Sequence, residues 1–257
     1  MMKYGAFDEG KVRWGEQNEV KASVLRMMRK RTGSEYEEIM DGIICEQRDD
    51  RFNYLRNWIT VDNPDPGVWE QFFTHQGMTS HVTNATTLYR WLQGTNGRRN
   101  TLKLYGPPGT GKTMLTSALT SYLATGYIGK SNLLPATSFC FESCIDKAAI
   151  VFEEPLLKQN TAADMLSIMA GDRCQLSVKY RPPQTYQKTP VIVTTNNSLF
   201  GHGFLSPMIE TALDARCINW SLTRVWRGGQ QVHVDERMQR RYSANLLAYI
   251  AKYAEIN

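Results

Sequence analysis

The sequence has no long apolar run. Its longest, such as Ala148-Ala149-Ile150-Val151-Phe152, fall well short of the ~18 residues of a membrane-spanning helix. The first residues, Met1-Met2-Lys3-Tyr4-Gly5-Ala6-Phe7-Asp8-Glu9, carry charge where a secretory leader needs its apolar stretch. Cysteine is sparse and odd in number: Cys45, Cys140, Cys144, Cys174 and Cys217, with no C-x-x-C. That disfavours a disulfide framework or a structural zinc site and fits reduced thiols. The four histidines, His75, His81, His202 and His233, are scattered and form no H-x-H pair. The expectation is a soluble intracellular protein.

What is present is ordinary globular composition, with 42% apolar and 21% charged residues over 257 positions, enough for one or two domains. The net charge of +5 is mild, but it is unevenly spread. Residues 26–31 form a basic cluster, residues 173–188 hold four cations and no acid, and residues 216–241 hold six arginines against two acids. One such run fits a solvated face; several together favour a polyanionic partner.

Residues from about 18 to 59 recur with helical period, with a capping box at Ser34 and Glu37. The breaker cluster Asp62-Asn63-Pro64-Asp65-Pro66-Gly67 ends that block. A second helical stretch is predicted from about 82 to 93, closed by Gly94. Near residue 100 the texture changes to short apolar runs alternating with helical segments: 101–105 then 112–124, 148–152 then 160–170, 191–195 then a loop. This alternation predicts a parallel sheet. A final helix is predicted from about 235 to 254. The division expected is a helical N-terminal domain over 1–97, an α/β core over 98–225 and a C-terminal helical segment over 226–257.

The run Gly106-Pro107-Pro108-Gly109-Thr110-Gly111-Lys112-Thr113 satisfies G-x-x-x-x-G-K-[ST] between a predicted strand and a predicted helix, which continues at Met114. Such a loop wraps phosphates with backbone N–H groups and the positive end of a helix. Lys112 is expected to reach the β/γ-phosphates of ATP, and the Thr113 hydroxyl to ligate Mg²⁺. Glu153 and Glu154 end a buried-strand pattern at the side of a parallel sheet where ligands bind. Glu153 is assigned to the metal shell and Glu154 to the base that activates water. Asn196 follows a third strand and can hold that water near the γ-phosphate. Lys112 to Glu154 and Glu154 to Asn196 are both 42 positions.

With these residues in place, the chain resembles the superfamily 3 helicases of small DNA viruses, most closely the helicase domain of parvoviral large nonstructural proteins. Residues 99–106 resemble the family's strand into the P-loop, 139–154 its acidic motif, and 189–196 its sensor motif. The resemblance implies an AAA+-type P-loop sheet flanked by helices. It also implies a basic hairpin over residues 171–188, carrying Lys179, Tyr180, Arg181 and Lys188 to DNA. Here the hairpin departs from the family in Pro182-Pro183. The reading of its shape places Pro-Pro-Gln at the tip and sets Lys179 and Arg181 on one strand face. Tyr180 would stack on a base. The family's arginine finger carries onto Arg216, with Arg224 a weaker candidate.

The implied activity is an ATP- and Mg²⁺-dependent helicase acting on single-stranded and forked duplex viral DNA in the host nucleus. It would work as a homo-oligomeric ring, a hexamer when active, and the two-His nicking motif of whole initiators is absent. The tryptophans read as core or interface residues. Two alternatives stay open: an AAA+ loader or packaging ATPase without strand separation, and a nucleic-acid-binding module with a structural ATP site.

Overall fold

The computed structural model describes residues 33–129, 139–200, 205–226 and 235–255, with side chains from residue 38 onward. The basic cluster at 26–31, the first part of the 18–59 helical stretch, the Ser34–Glu37 capping box, His202 and His233 lie outside these descriptions.

Four helices open the described chain: α1 (Gly33–Asp49), α2 (Arg51–Trp58), α3 (Gly67–His75) and α4 (His81–Gln93). The predicted stretch to residue 59 is split at Asp50, whose carboxylate caps α2 by accepting from Asn53 N. Helix α3 went unread in the sequence because Pro66 and Gly67 look like breakers. Here they start a helix instead, with Pro66 as its N-cap. A glycine inside a helix costs about 1 kcal/mol. Trp69, Phe72 and Phe73 are all fully buried, each worth about 1.5–3 kcal/mol, so burial wins. Helix α4 matches its prediction, starting at the Ser80 cap and stopping at Gly94, which adopts φ 67°.

The sheet begins with β1 (Thr101–Tyr105), followed by α5 (Lys112–Thr120). The helix predicted to 124 ends four residues earlier, and Thr125–Gly129 forms an edge strand, β2, that periodicity did not reveal. Thr125 Oγ1 donates to Thr120 O and Leu123 O and fixes the sharp exit from the helix. Strand β3 (Ala149–Glu153) leads to α6 (Ala162–Ala170). The hairpin strands are β4 (Cys174–Val178) and β5 (Arg181–Tyr186). Then come β6 (Val191–Thr195), α7 (Pro207–Asp214), β7 (Cys217–Ser221) and α8 (Glu236–Tyr253).

Five strands form one sheet in the order β2-β3-β6-β1-β7, every pair parallel. Both faces are covered, as an all-parallel sheet requires. Leu102, Leu104, Val151 and Ile192 face a cluster built with α2, α3, α4, α5 and α8. Ile150, Phe152, Val191 and Val193 face a second cluster built with α6 and α7. The alternation along each strand is the period of two written into the sequence. Polar ties fix the helical layer: Trp91 Nε1 donates to Val191 O at 2.8 Å, and Trp69 Nε1 to Tyr242 O at 3.1 Å. No described helix is long and apolar enough to cross a membrane.

The hairpin corrects the expected shape. Val178 pairs with Arg181, so the tip is Lys179-Tyr180 and not Pro-Pro-Gln. Tyr180, the second of the two tip residues, takes the left-handed φ of 59°. Pro182 and Pro183 lie inside β5. They fall where the register shifts, between the Leu176–Gln184 and Val178–Arg181 pairs, so their missing N–H groups cost the ladder little. Lys179 is a turn residue and Arg181 begins a strand, so the two do not share a strand face.

Candidate functional site

The P-loop leaves the C-terminal end of β1 and closes on the N-terminus of α5. Two glycines in it have no substitute. Gly106 runs so close to the β7 exit that a Cβ would sit 1.8 Å from Leu222 O. Gly111 caps α5 at φ 92°, and a Cβ there would come 2.6 Å from the Phe72 ring. The loop is also tied from outside. Gln76, at the end of α3, donates to Thr110 O at 3.2 Å and to Arg224 O at 2.6 Å, and accepts from Arg224 N at 3.1 Å. Trp226 N donates to Gly109 O at 2.9 Å.

Lys112 is 8% exposed. Its three ammonium protons meet three acceptors: Gly106 O at 2.6 Å, Pro107 O at 2.9 Å and Asn196 Oδ1 at 2.8 Å. Burial pushes its pKa below the usual lysine value, and the nearby Glu154 carboxylate opposes that shift. Glu154 itself stands at φ 46°, just past the end of β3. Its backbone N–H is held by Thr194 O at 2.8 Å. Its two carboxylate oxygens take the Asn196 N–H at 3.0 and 3.2 Å. A left-handed glutamate is costly, and these bonds from β6 overdetermine it.

The cavity at this end of the sheet has a volume of about 440 Å³ and runs from Pro108 to Met114, bounded by Glu153, Glu154, Thr194, Asn196 and Trp226. The structure therefore brings together the P-loop, both glutamates and Asn196. Thr113 and Glu153 also border an adjoining cavity along α5. A hydroxyl and a carboxylate are hard oxygen donors, the set that suits Mg²⁺ shared with phosphates. Among the described residues no group of three or more His, Cys, Asp or Glu could hold a metal by itself. A metal here would depend on Thr113, Glu153 and the nucleotide together.

Other predicted residues lie elsewhere. Arg216 O accepts from Thr101 N, at the opposite end of β1 from the P-loop. Four steps of strand, about 13 Å, separate that end from Tyr105. The Arg216 guanidinium donates to Ala212 O, while its Nε is buried without a partner. Arg224 lies on the P-loop side, where its guanidinium donates to His75 O at 2.9 Å. Lys179, Tyr180 and Arg181 crown the hairpin, with Tyr180 fully exposed. Lys188 sits at its base and donates to Gly97 O at 3.0 Å.

The sequence reading missed Gln76 and Trp226. A glutamine at a helix end carries no motif. Trp226 reads as a core residue, and it does pack edge-on against Phe72, with ring centres 5.4 Å apart. Its position in the cavity wall depends on the backbone bond to Gly109.

The fold and the site define a P-loop protein of the α/β class, with a third strand inserted between the phosphate-loop strand and the acidic strand. The chain belongs to the parvovirus non-structural protein NS1 family, whose model matches residues 67–200, more than half of its length. The initiator protein NS1 of human bocavirus 2 is 31% identical over 108 residues, 40% of this chain and 13% of that protein. Protein Rep52 of adeno-associated virus 2 is 29% identical over 116 residues, 45% of this chain and 28% of that one. The matches thus span a minor part of each relative. Among solved structures, a JCV helicase aligns with a TM-score of 0.52 at 16% identity, over 97% of this chain and 76% of that one. The C-terminal region of NrS-1 aligns at 0.51 and 13% identity, over 77% and 48%. These two likenesses concern the fold.

Proposed function

We propose that this chain is the ATP-driven motor of a DNA helicase that separates viral DNA strands during replication. The observation that carries this reading is the convergence of Lys112, Asn196 and Glu154 on one cavity, each bonded to another of the three. A site that only held nucleotide would have no use for a carboxylate fixed at such backbone cost. The names borne by the relatives, initiator protein, and by the JCV neighbour, helicase, support a replication role.

In this reading Gly106 to Met114 wrap the phosphates of ATP, and Lys112 exchanges its carbonyl partners for phosphate oxygens. Asn196 positions a water molecule in line with the γ-phosphorus. Glu154 takes the water's proton as its oxygen bonds to phosphorus and the bond to the ADP oxygen breaks. Thr113 and Glu153 would hold Mg²⁺, which neutralises developing phosphate charge. Arg216 lies too far from its own cavity to help there, which supports its use as a finger in the cavity of a neighbouring copy. That use requires a homo-oligomer, and we propose a ring, hexameric when active, with residues 1–97 as its oligomerisation domain.

The hairpin tip would meet single-stranded DNA through Lys179 and Arg181 on phosphates and Tyr180 on a base, with Lys188 nearer the root. The place of action is the host nucleus, where a viral DNA template would be copied. The second reading, an AAA+ loader or packaging ATPase, shares the cavity and differs in output. A forked-duplex assay decides between them. ATP-dependent release of a labelled strand, lost in Lys112→Ala, is expected. DNA-stimulated ATP turnover without strand release would establish the loader reading instead.

A further inference from the structure

Lys103 stands in the middle of β1 and is 5% exposed. Its neighbours Leu102 and Leu104 face the helical layer, so Lys103 faces the cluster of α6 and α7. A charge buried in a sheet is costly unless it is paired and hydrogen-bonded. Here Nζ donates to Ser198 O at 2.8 Å and to Asp214 Oδ1 at 3.1 Å, and lies 4.3 Å from the centre of the Phe200 ring.

These partners belong to two different segments. Ser198 and Phe200 lie on the loop that leaves β6 directly after Asn196. Asp214 ends α7, two residues before Arg216. A second bond joins the same segments, with Phe200 N donating to Glu210 Oε2 at 2.9 Å. On its far side Asp214 accepts from Asn219 of β7 at 3.1 Å.

We propose that Lys103 is a positioning residue that makes the placement of Arg216 depend on the state of the Asn196 loop. The proposal rests on the reading above of Asn196 at the γ-phosphate and Arg216 as a finger for the neighbouring copy. The ammonium is anchored in a strand and cannot move far. If the loop carries Ser198 O away when phosphate leaves, a buried donor loses its acceptor. The ammonium is then left with Asp214, already 3.1 Å away, as its charged partner, and draws that carboxylate, and with it the end of α7, closer. Hydrolysis in one copy is thereby transmitted to the arginine that copy presents to the next.

The test uses the full chain assembled with nucleotide and single-stranded DNA. Lys103→Met keeps the stem and removes the charge. It should lower kcat for ATP about 2- to 30-fold, the range of mutations along a coupling route. KM for ATP and equilibrium nucleotide affinity should hold, and cooperativity between sites should flatten. Combined with Arg216→Ala, it should be no slower than Arg216→Ala alone. Asp214→Asn, at a half-exposed side chain, should give the same pattern and serves if the methionine variant does not fold. A purely structural lysine would instead lower the melting temperature and leave kcat per folded molecule unchanged. Multiplying losses in the double variant, or wild-type kcat and cooperativity in either folded single variant while Arg216→Ala stays slow, would overturn the link and leave the finger reading intact. Wild-type turnover in assembled Arg216→Ala would remove the finger reading, and the link with it.

Discussion

Lys112 Nζ donates to Asn196 Oδ1 across 2.8 Å, joining two residues 84 positions apart in the chain. The strand order produces this contact. Because β6 lies directly beside β1, the residue that follows β6 emerges next to the loop that follows β1. The P-loop and the polar end of β6 are thus parts of one hydrogen-bonded unit.

Lys112→Ala should keep the fold and lose ATP hydrolysis by about 10²- to 10³-fold, the usual cost of removing one transition-state donor. Its ammonium serves loop carbonyls and Asn196, not an apolar cluster. Steady-state phosphate release together with circular dichroism checks both halves. Near wild-type turnover would remove the lysine from the site.

Glu154→Gln should bind ATP and fail to hydrolyse it. The amide oxygen can still accept from Asn196 N, so the geometry holds while the base is lost. Glu153→Gln should instead raise the Mg²⁺ concentration needed for half-maximal turnover. Equilibrium binding of a fluorescent ATP analogue across a Mg²⁺ titration separates the two. The opposite pattern would exchange their roles.

Tyr180→Gly should weaken single-strand binding by roughly the 1–3 kcal/mol of one stacked base. Protein stability should stay level or rise by up to about 1 kcal/mol, since glycine adopts φ 59° without strain. Lys179→Ala with Arg181→Ala should lower the log–log salt slope by about 0.7 for each phosphate no longer neutralised. Fluorescence anisotropy at several salt concentrations, with thermal melting alongside, measures all three. Unchanged affinity would reduce the hairpin to a surface loop.

Gln76→Ala should raise KM for ATP and lower stability by about 1–3 kcal/mol. It strands Thr110 O, Arg224 O and Arg224 N, and stranded buried polar groups carry that order of cost. Isothermal denaturation and ATP titration together check it. An unchanged KM would show that α3 does not shape the P-loop.

Much of this architecture was legible in the residues. The alternation of short apolar runs and helical segments gave β1, β3 and β6 and the helices after β1 and β3, while α7 was not read. The P-loop, Glu153, Glu154 and Asn196 fell on strand ends that face one cavity. Legibility stopped where a residue's structure depends on what packs against it. The aromatic burial that makes 67–75 a helix is invisible beside Pro66 and Gly67. The β2 edge strand holds two glycines and an exposed Tyr127, which mimics loop texture. The hairpin tip differs from the expected one because proline usually marks a turn, whereas register here puts both prolines in a strand, at the irregularity of its ladder. Gln76 and Lys103 carry no motif at all. What they touch emerges only from distances to groups far away in sequence.

The remoteness of Arg216 from its own cavity has a consequence for symmetry. In a two-fold dimer residue i meets j and j meets i, so two copies could exchange arginines only if one face of the subunit carried both Arg216 and the mouth of the cavity. With Arg216 and the P-loop at opposite ends of β1, a head-to-tail contact, in which one surface of a subunit meets a different surface of the next, would put one arginine in every cavity. Such a contact repeats until rotation closes it, and an unclosed chain always ends in one vacant cavity and one idle arginine. Closure would then be what gives every subunit an equal share of the chemistry, and one defective arginine would silence a neighbour's site while sparing its own.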